Sequence, residues 1–239
     1  MKKYLLGIFC LVLTLGLASV SYADRRSYVW TYEYMTMPKG MWELEYYLTD
    51  EIPATKNSNI YTLKHWLELE YGITDNWDIS MYQMYKYKNK AKENDSKYDG
   101  FKVRTRYRFG KKGQFVIDPL VYLEYIRDSD FSKPSVIEAK LILGKDIGSW
   151  NVSYNQIIKR DLERTGKTAL EYAGALGYAV FPNFKVGVET KGNYGSRKYA
   201  LGPTISWAGK KIWASLGAAF GVNTRTDDIQ TRIIVGVPF

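Results

Sequence analysis

Apolar and polar residues alternate with a period of two along most of the chain. At the carboxyl end the apolar positions include Ile233, Val235, Val237 and Phe239, and the positions between them include Arg232 and a glycine. Strict alternation over such a length indicates a β-strand with one apolar and one polar face. The sequence therefore predicts that the chain ends in an amphipathic strand.

The same alternation recurs from residue 41 onward, and it divides the region into twelve predicted strands. Their predicted bounds are Met41–Thr49, Leu63–Ile73, Trp77–Lys86, Phe101–Phe109, Phe115–Arg127, Val136–Lys145, Trp150–Lys159, Ala169–Phe181, Phe184–Lys191, Lys198–Ala208, Lys211–Val222 and Ile229–Phe239. Most have the length of about 10 residues that a tilted strand needs to cross a bilayer. We therefore predict an all-β, antiparallel, up-and-down transmembrane β-barrel of 12 strands in residues 41–239.

The connections between these strands alternate in length. The short ones are Thr74–Asn76, Gly110–Gly113, Asp146–Ser149, Pro182–Asn183 and Gly209–Lys210. The longer, polar ones are Asp50–Asn59, Lys88–Tyr98, Asp128–Ser135, Arg160–Thr168, Gly192–Arg197 and Asn223–Asp228. Membrane barrels have short periplasmic turns and longer outer loops. This alternation favours a membrane barrel over a soluble sandwich, and it places Phe239 at the periplasmic end.

The segment Ser27–Thr36 is a thirteenth strand candidate, with Tyr28, Trp30, Tyr32 and Tyr34 on one side. Single-chain bacterial barrels have even numbers of strands. We therefore expect residues 24–40 to lie in or across the periplasmic mouth instead. The alternative is a strand miscounted elsewhere, which would give a barrel of 14 strands.

Residues 1–23 have the composition of a secretory signal peptide. Lys2 and Lys3 precede an apolar run from Leu5 to Val20, and Ser21-Tyr22-Ala23 forms a small-x-small cleavage site. The only cysteine, Cys10, lies inside this segment. The mature chain is therefore expected to have no disulfide, no thiolate metal site and no cysteine nucleophile.

Composition agrees with an exported membrane barrel. Aromatic residues make up 15% of the chain, and membrane barrels carry aromatic girdles at both interfaces. The net charge of +9 is spread along the sequence, which favours contact with anionic headgroups or solutes over nucleic acid. We expect outer-membrane lipid as a partner and no nucleic acid.

Neighbouring residues of a strand face opposite sides of the sheet, so the odd or even position of a residue, its parity, predicts the face on which it lies. Parity assigns a set of charged residues to the barrel interior. The candidate lumen residues are Lys102, Arg104, Arg106, Arg108, Glu43, Glu45, Glu68, Glu70, Asp78 and Glu124. Charges away from water are costly unless paired, so these residues either line water or form ion pairs. They would fill and stiffen the barrel, or they would form a selective constriction in which the three arginines face Glu68 and Glu70.

The second half of the predicted barrel has mostly small residues on its inward parity. These are Ala173, Ala175, Gly177, Gly187, Ala200, Gly202, Gly217, Ala219 and Gly221. A charged wall opposite a wall of small residues is expected to leave space for a narrow channel or a bound ligand.

Catalytic motifs are sparse. The only histidine, His65, shares the outward parity of Leu67. Outer-membrane phospholipase A uses a lipid-facing Ser–His pair with the serine two residues after the histidine, but here that position is Leu67. A general base without a nucleophile has nothing to activate. We also find no Gly-rich phosphate loop and no metal-spaced histidine cluster. We therefore expect no enzymatic activity, cofactor or metal.

Two stretches resemble a known group of proteins. Met37-Pro38-Lys39-Gly40-Met41-Trp42-Glu43-Leu44-Glu45 and Leu67-Glu68-Leu69-Glu70-Tyr71-Gly72-Ile73-Thr74-Asp75-Asn76-Trp77 are similar to a pattern in small Gram-negative outer-membrane barrels of the transporter-like, "putative MetA-pathway of phenol degradation" group. The terminal Phe239 also resembles the closing-strand residue by which the barrel-assembly machinery recognises such chains. The resemblance implies an outer-membrane location and passage of small solutes, and it supplies no catalytic residues.

The sequence therefore favours a narrow passive channel for a small-molecule solute in the outer membrane. Two alternatives remain open: a closed structural or surface-interaction barrel without transport, and a lipid-modifying outer-membrane enzyme based on His65.

Overall fold

The computed structural model describes residues 25–57, 59–90 and 94–239. The predicted signal peptide, including Cys10, lies outside the described residues. No helix in the described ranges is long and apolar enough to cross a bilayer.

Twelve antiparallel strands form one closed barrel, which confirms the predicted fold and strand number. The strands are β1 Trp42–Ile52, β2 Ile60–Thr74, β3 Trp77–Lys90, β4 Asn94–Arg108, β5 Asp118–Asp128, β6 Val136–Ile147, β7 Trp150–Asp161, β8 Thr168–Phe181, β9 Phe184–Asn193, β10 Lys198–Ala208, β11 Trp213–Gly221 and β12 Ile229–Pro238. A single 3₁₀ turn, Thr55–Asn57, lies between β1 and β2. Each strand pairs with its neighbours in sequence, so every connection is a hairpin.

The barrel closes between its first and last strands. The register runs from Glu43 opposite Pro238 to Ile52 opposite Ile229. At the very end, the Phe239 N–H donates to the Trp42 carbonyl at 2.9 Å, and the Trp42 N–H donates to the Phe239 carbonyl at 3.1 Å. Closure leaves no unpaired sheet edge, as a spanning sheet in lipid requires.

The two faces of the wall have inverted polarity relative to a soluble protein. On β3, Ile79 and Met81 are 42% and 48% exposed, whereas Asp78 and Tyr82 are 0% and 1% exposed. Because neighbouring residues in a strand point to opposite faces, the outer surface is apolar and the polar side chains face inward. An apolar outer band of this kind suits contact with lipid tails.

Aromatic pairs ring the end of the barrel where the short turns lie. Trp42 packs on Tyr71 with ring centroids 4.5 Å apart, and Trp150 packs on Tyr178 at 4.8 Å. At the opposite end Tyr85 packs on Tyr98 at 5.4 Å. These positions match the two interfacial girdles of a membrane barrel.

Several predicted strand boundaries were wrong, and two of them have a clear physical reason. The segment Lys88–Tyr98 was predicted as a loop, but β3 and β4 continue through it, with Lys88 opposite Asp95 and Tyr87 opposite Ser96. The two strands satisfy each other's backbone hydrogen bonds whether lipid or water surrounds them. The β3–β4 hairpin can therefore extend, with polar side chains, beyond the apolar band.

The strand predicted at Phe115–Arg127 begins at Asp118 instead. The Asp118 carboxylate accepts hydrogen bonds from the N–H groups of Gly113 and Phe115, at 2.7 and 3.1 Å. These bonds fix residues 109–117 as a turn, because the backbone donors point to a side chain rather than to a neighbouring strand.

Candidate functional site

Residues 26–37, which we call the plug, lie inside the barrel. Most of their side chains are buried, and Val29, Thr31 and Met37 are 0% exposed. The plug forms no strand, so the Ser27–Thr36 candidate is a separate segment rather than part of the wall. Its carboxyl end meets the short turns, because the Thr36 hydroxyl donates to the Asp75 carbonyl at 2.8 Å. The plug therefore occupies the short-turn end of the lumen.

One carboxylate holds the middle of the plug. Glu189, on β9 and 1% exposed, accepts the backbone N–H groups of Val29, Trp30 and Thr31 at 2.7, 2.8 and 2.8 Å. Hydrogen bonds to an ionised acceptor contribute about 1.5–3 kcal/mol each. Three backbone dipoles converging on one carboxylate compensate its charge where water is excluded.

Further hydrogen bonds connect the plug to β7. The side-chain amide of Asn155 pairs with both backbone groups of Tyr32, accepting the N–H at 2.6 Å and donating to the carbonyl at 2.9 Å. The Tyr28 hydroxyl donates to the Asn151 side-chain oxygen at 2.9 Å. Both asparagines are buried, so these bonds satisfy polar groups of the wall and of the plug together.

Glycines of the second half make room for the plug. A Cβ atom on Gly177 would lie 2.5 Å from the Tyr28 hydroxyl, and one on Gly217 would lie 2.5 Å from Val29 Cγ2. On β6, a Cβ on Gly144 would lie 3.0 Å from the Cβ of Tyr34. The wall of small residues was expected to leave space for a channel or ligand. That expectation was wrong for the short-turn end, because the chain's own plug fills it.

The predicted charged residues of the first half meet in a second feature, the ion-pair cluster. It consists of Arg104, Arg106, Glu68, Glu70 and Asp78. Arg104 Nη2 lies 3.0 Å from Glu68 Oε1 and 2.6 Å from Glu70 Oε2, and Arg106 Nη2 lies 2.8 Å from Asp78 Oδ2. Each of the five is at most 1% exposed. The cluster is therefore packed solid rather than lining water.

The register explains how β4 reaches β2. Arg104 lies opposite Ser80 on β3, and Ser80 lies opposite Glu70 on β2. Because serine is short, the guanidinium can extend across it to the next strand. The plug completes the cluster, since the Met37 N–H donates to Asp78 Oδ2 at 3.0 Å.

The remaining predicted lumen residues lie elsewhere. Arg108 is outside the cluster, and its Nη2 donates to the Asp75 carbonyl in the β2–β3 turn at 2.8 Å. Glu43 and Glu45 point inward from β1 and are 0% and 1% exposed, and the Tyr47 hydroxyl donates to Glu45. The sequence predicted that Arg104, Arg106 and Arg108 all face Glu68 and Glu70. The structure brings only Arg104 and Arg106 together with these carboxylates.

Lys102 and Glu124 belong to a cavity of about 350 Å³ above the plug, which we call the outer cavity. Their side chains are 3.1 Å apart. The floor of the cavity is formed by plug residues Arg26, Trp30 and Tyr32, and residues of the β11–β12 connection also line it. The cavity therefore lies at the long-loop end of the barrel.

His65 lies on the outer face, as parity predicts. Its Nδ1 is 2.6 Å from the Tyr46 hydroxyl. Leu67, two residues further on, is 44% exposed on the same face. The position that would carry a nucleophile therefore presents an apolar side chain to the surroundings.

The sequence missed Glu189 and the two asparagines of β7. Glu189 and Asn155 bond backbone groups of the plug, and Asn151 accepts from the Tyr28 hydroxyl. These partners lie up to 160 positions away along the chain, and alternation along a strand carries no information on such pairs. An acid among inward glycines and alanines was the available signal, because an inward charge needs a partner.

No family model matches the sequence, and no curated protein matches it. Solved structures do match over most of the chain. The KdgM porin in complex with disordered oligogalacturonate is 13% identical, with 82% of this chain and 98% of that chain covered and a TM-score of 0.56. The NanC porin is 12% identical, with 83% and 98% covered and a TM-score of 0.52.

The translocator domain of the autotransporter NalP from Neisseria meningitidis is 8% identical, with 84% of this chain and 89% of that chain covered and a TM-score of 0.52. At these identities the similarity shows a shared fold. This chain therefore has the closed-barrel fold of small outer-membrane porins.

Proposed function

We propose that this protein is an outer-membrane β-barrel that gives small solutes a narrow passive route, and that the plug holds the route closed at rest. The apolar outer band and the aromatic pairs at both ends support the membrane location. The fold shared with small porins supports passage, and one of those structures was solved with oligogalacturonate, a solute rather than a protein.

One observation carries this proposal: the plug fills the lumen without contributing to the wall. The sheet closes between β1 and β12, so no backbone hydrogen bond of the ladder depends on residues 26–37. Side-chain acceptors such as Glu189 and Asn155 hold most of the plug. A segment held in this way can leave while the barrel stays closed, and its departure would open the space that it fills.

The test is the conductance of Glu189→Gln. Glutamine keeps the size of the side chain but replaces one anionic oxygen with an NH₂ group, which cannot accept the plug's N–H groups. A loss of about 2 kcal/mol for a charged hydrogen bond corresponds to a roughly 30-fold larger population of displaced plug. We expect far more frequent opening in planar bilayers than for the unaltered protein.

Glu163→Gln is the matched control, because Glu163 lies in the exposed β7–β8 connection; we expect the conductance of the unaltered protein. Trypsin cleavage after Arg26 reports plug displacement independently. A variant whose plug is displaced but whose conductance is unchanged would refute passage.

That result would favour the second candidate, a closed structural or surface-interaction barrel. The observation in its favour is the ion-pair cluster, which is buried and leaves no water-lined constriction at Arg104 and Arg106. In this case the charged residues fill and stiffen the barrel, and the outer loops carry the interactions.

Three finer hypotheses belong with this proposal. The resemblance to the "putative MetA-pathway of phenol degradation" group rests on the motifs at the first hairpin. Recognition by the barrel-assembly machinery would rest on Phe239, which is 38% exposed beside β1. Export would rest on the signal peptide predicted at residues 1–23.

A further inference from the structure

The outer cavity has two sides that differ in how their charges are compensated. On one side the lysines form salt bridges: Lys159 Nζ lies 3.0 Å from Glu138 and 2.9 Å from Glu171, and Lys140 Nζ lies 2.9 Å from Glu138. The pairing of Lys102 with Glu124 completes this side. Its positive charges are therefore neutralised by the wall itself.

On the other side Lys191 and Arg232 make hydrogen bonds to neutral groups. Lys191 donates to the side-chain oxygen of Gln230. Arg232 Nε donates to the Thr49 hydroxyl at 2.8 Å, and its Nη1 donates to the Val29 carbonyl at 3.1 Å. Within the described ranges neither side chain forms a salt bridge. Two half-buried cations therefore lack an anionic partner in the wall.

Both cations lie near the same indole ring. Lys191 Nζ is 4.5 Å from the centroid of Trp30, and Arg232 Cζ is 5.9 Å from it. Cation–π contacts fix their positions but leave the like charges uncompensated. A bound anion would relieve that repulsion, and it would gain strength from being partly shielded from water.

We propose that Lys191 and Arg232 bind the carboxylate of a small, ring-bearing organic acid above Trp30. Tyr172 and Tyr199 line the same cavity and offer flat surfaces for the ring. The cavity of about 350 Å³ has the size of a small-molecule site. The guanidinium suits a carboxylate, since its planar donors can bond both oxygens.

Binding at this site does not require that solutes pass through the barrel. The floor, Trp30, belongs to the plug, so the ligand binds while the plug is in place. Binding is therefore measured on the closed protein, and the outcome is separate from that of the conductance experiment. A protein that binds the acid but never conducts would support the site and refute the proposed transport.

The test is titration calorimetry on the purified full chain in detergent, with two acids and their neutral counterparts as probes. Benzoate is compared with benzamide, and D-glucuronate is compared with D-glucose. We expect saturable binding of at least one acid and binding of its neutral counterpart that is about tenfold weaker or more. The acid that binds distinguishes an aromatic acid from a sugar acid.

Lys191→Gln is expected to weaken binding of that acid about tenfold. Lys210→Gln removes the same charge from an exposed position in the β10–β11 turn, and it should bind like the unaltered protein. Far-ultraviolet circular dichroism and heat-dependent gel mobility check that each variant is folded.

Several outcomes would overturn the proposal. These are no saturable binding of either acid at millimolar concentrations, equal binding of an acid and its neutral counterpart, or unchanged binding by a folded Lys191→Gln variant. Equal weakening by Lys191→Gln and Lys210→Gln would also overturn it, because it would indicate an effect of net charge alone.

Discussion

The two halves of the barrel wall serve the lumen in different ways. Strands β1–β6 supply most of the buried charges, and these pair with one another in the ion-pair cluster and its surroundings. Strands β7–β12 supply glycines, alanines and a few isolated polar groups, and these bind the plug. The charges of the first half are paired mainly within the wall, and the plug adds the bond from the Met37 N–H to Asp78. In the second half, by contrast, Glu189 and Asn155 have their hydrogen-bond partners in the plug.

This difference shows what strand periodicity can and cannot reveal. Parity identifies the side chains that point inward, and it did so for Arg104 and Glu70. It does not identify what they meet. In the first half the partners lie on nearby strands, where register limits the possibilities. In the second half the partner of Glu189 is backbone in an irregular segment, which has no periodicity to follow.

The largest expected effect is loss of stability when the first half loses a cation. Arg106→Ala leaves Asp78 and Glu70 buried with one partner fewer, and removing one member of a buried ion pair costs about 3–5 kcal/mol. We expect that decrease in the free energy of unfolding, measured by urea denaturation in phospholipid vesicles.

Arg108→Ala is the control on the same strand. Its guanidinium bonds the exposed β2–β3 turn, so we expect a change of about 0–1 kcal/mol. Equal losses for the two variants would show that the buried cluster is not what stabilises the first half.

A smaller effect is expected from enlarging a residue in the second half. Gly217→Val places atoms against Val29, where even a Cβ would be 2.5 Å away. Overpacking costs about 1–3 kcal/mol, and displacing the plug relieves it without breaking the wall. We expect the trypsin cleavage rate after Arg26 to rise roughly tenfold, while heat-dependent gel mobility shows an intact barrel.

Gly195→Val is the control for that change. Gly195 lies in the β9–β10 connection, where an added Cβ would meet only Asn193 Oδ1, at 3.6 Å. Trypsin should cleave the plug of the Gly195→Val variant as slowly as that of the unaltered protein. If Gly217→Val were equally resistant, the glycine would not be needed for the plug to fit.

Much of the architecture could be predicted from the sequence because it depends on local pattern. The strand number, the inward parity of Glu68 and Arg104, and the outward parity of His65 all follow from period-two alternation and turn composition. The prediction failed at Lys88–Tyr98, where polar composition suggested a loop although the hairpin continues. The polar composition of this segment indicates where the lipid-facing part of the wall ends, but the strands continue beyond it.

Period-two alternation predicted some residues of the candidate site but not the cavity that contains them. The charges of Lys102 and Glu124 were found by parity, but the cavity that contains them is defined by the plug beneath it. The position of the plug follows from steric fit, with Tyr28 against Gly177 and Val29 against Gly217. Such fit depends on three-dimensional placement that no short motif encodes.

The central claim is that residues 26–37 lie inside the barrel, and a disulfide tests it most directly. In the described structure the Cβ of Tyr34 lies 3.0 Å from the position of a Cβ on Gly144, so a small shift of the plug brings the pair to the separation of about 3.8 Å in disulfides. The only native cysteine, Cys10, lies in the predicted signal peptide. The double variant Tyr34→Cys with Gly144→Cys therefore adds one well-placed pair.

Mass spectrometry of tryptic peptides, with and without reductant, measures the bond after mild oxidation in the membrane. We predict that most molecules form it, and that Tyr34→Cys with Gly195→Cys does not, because Gly195 lies in the β9–β10 connection, where an added Cβ meets only Asn193 Oδ1. Free thiols in the first pair, or equal bonding in both, would contradict a plug seated in the lumen.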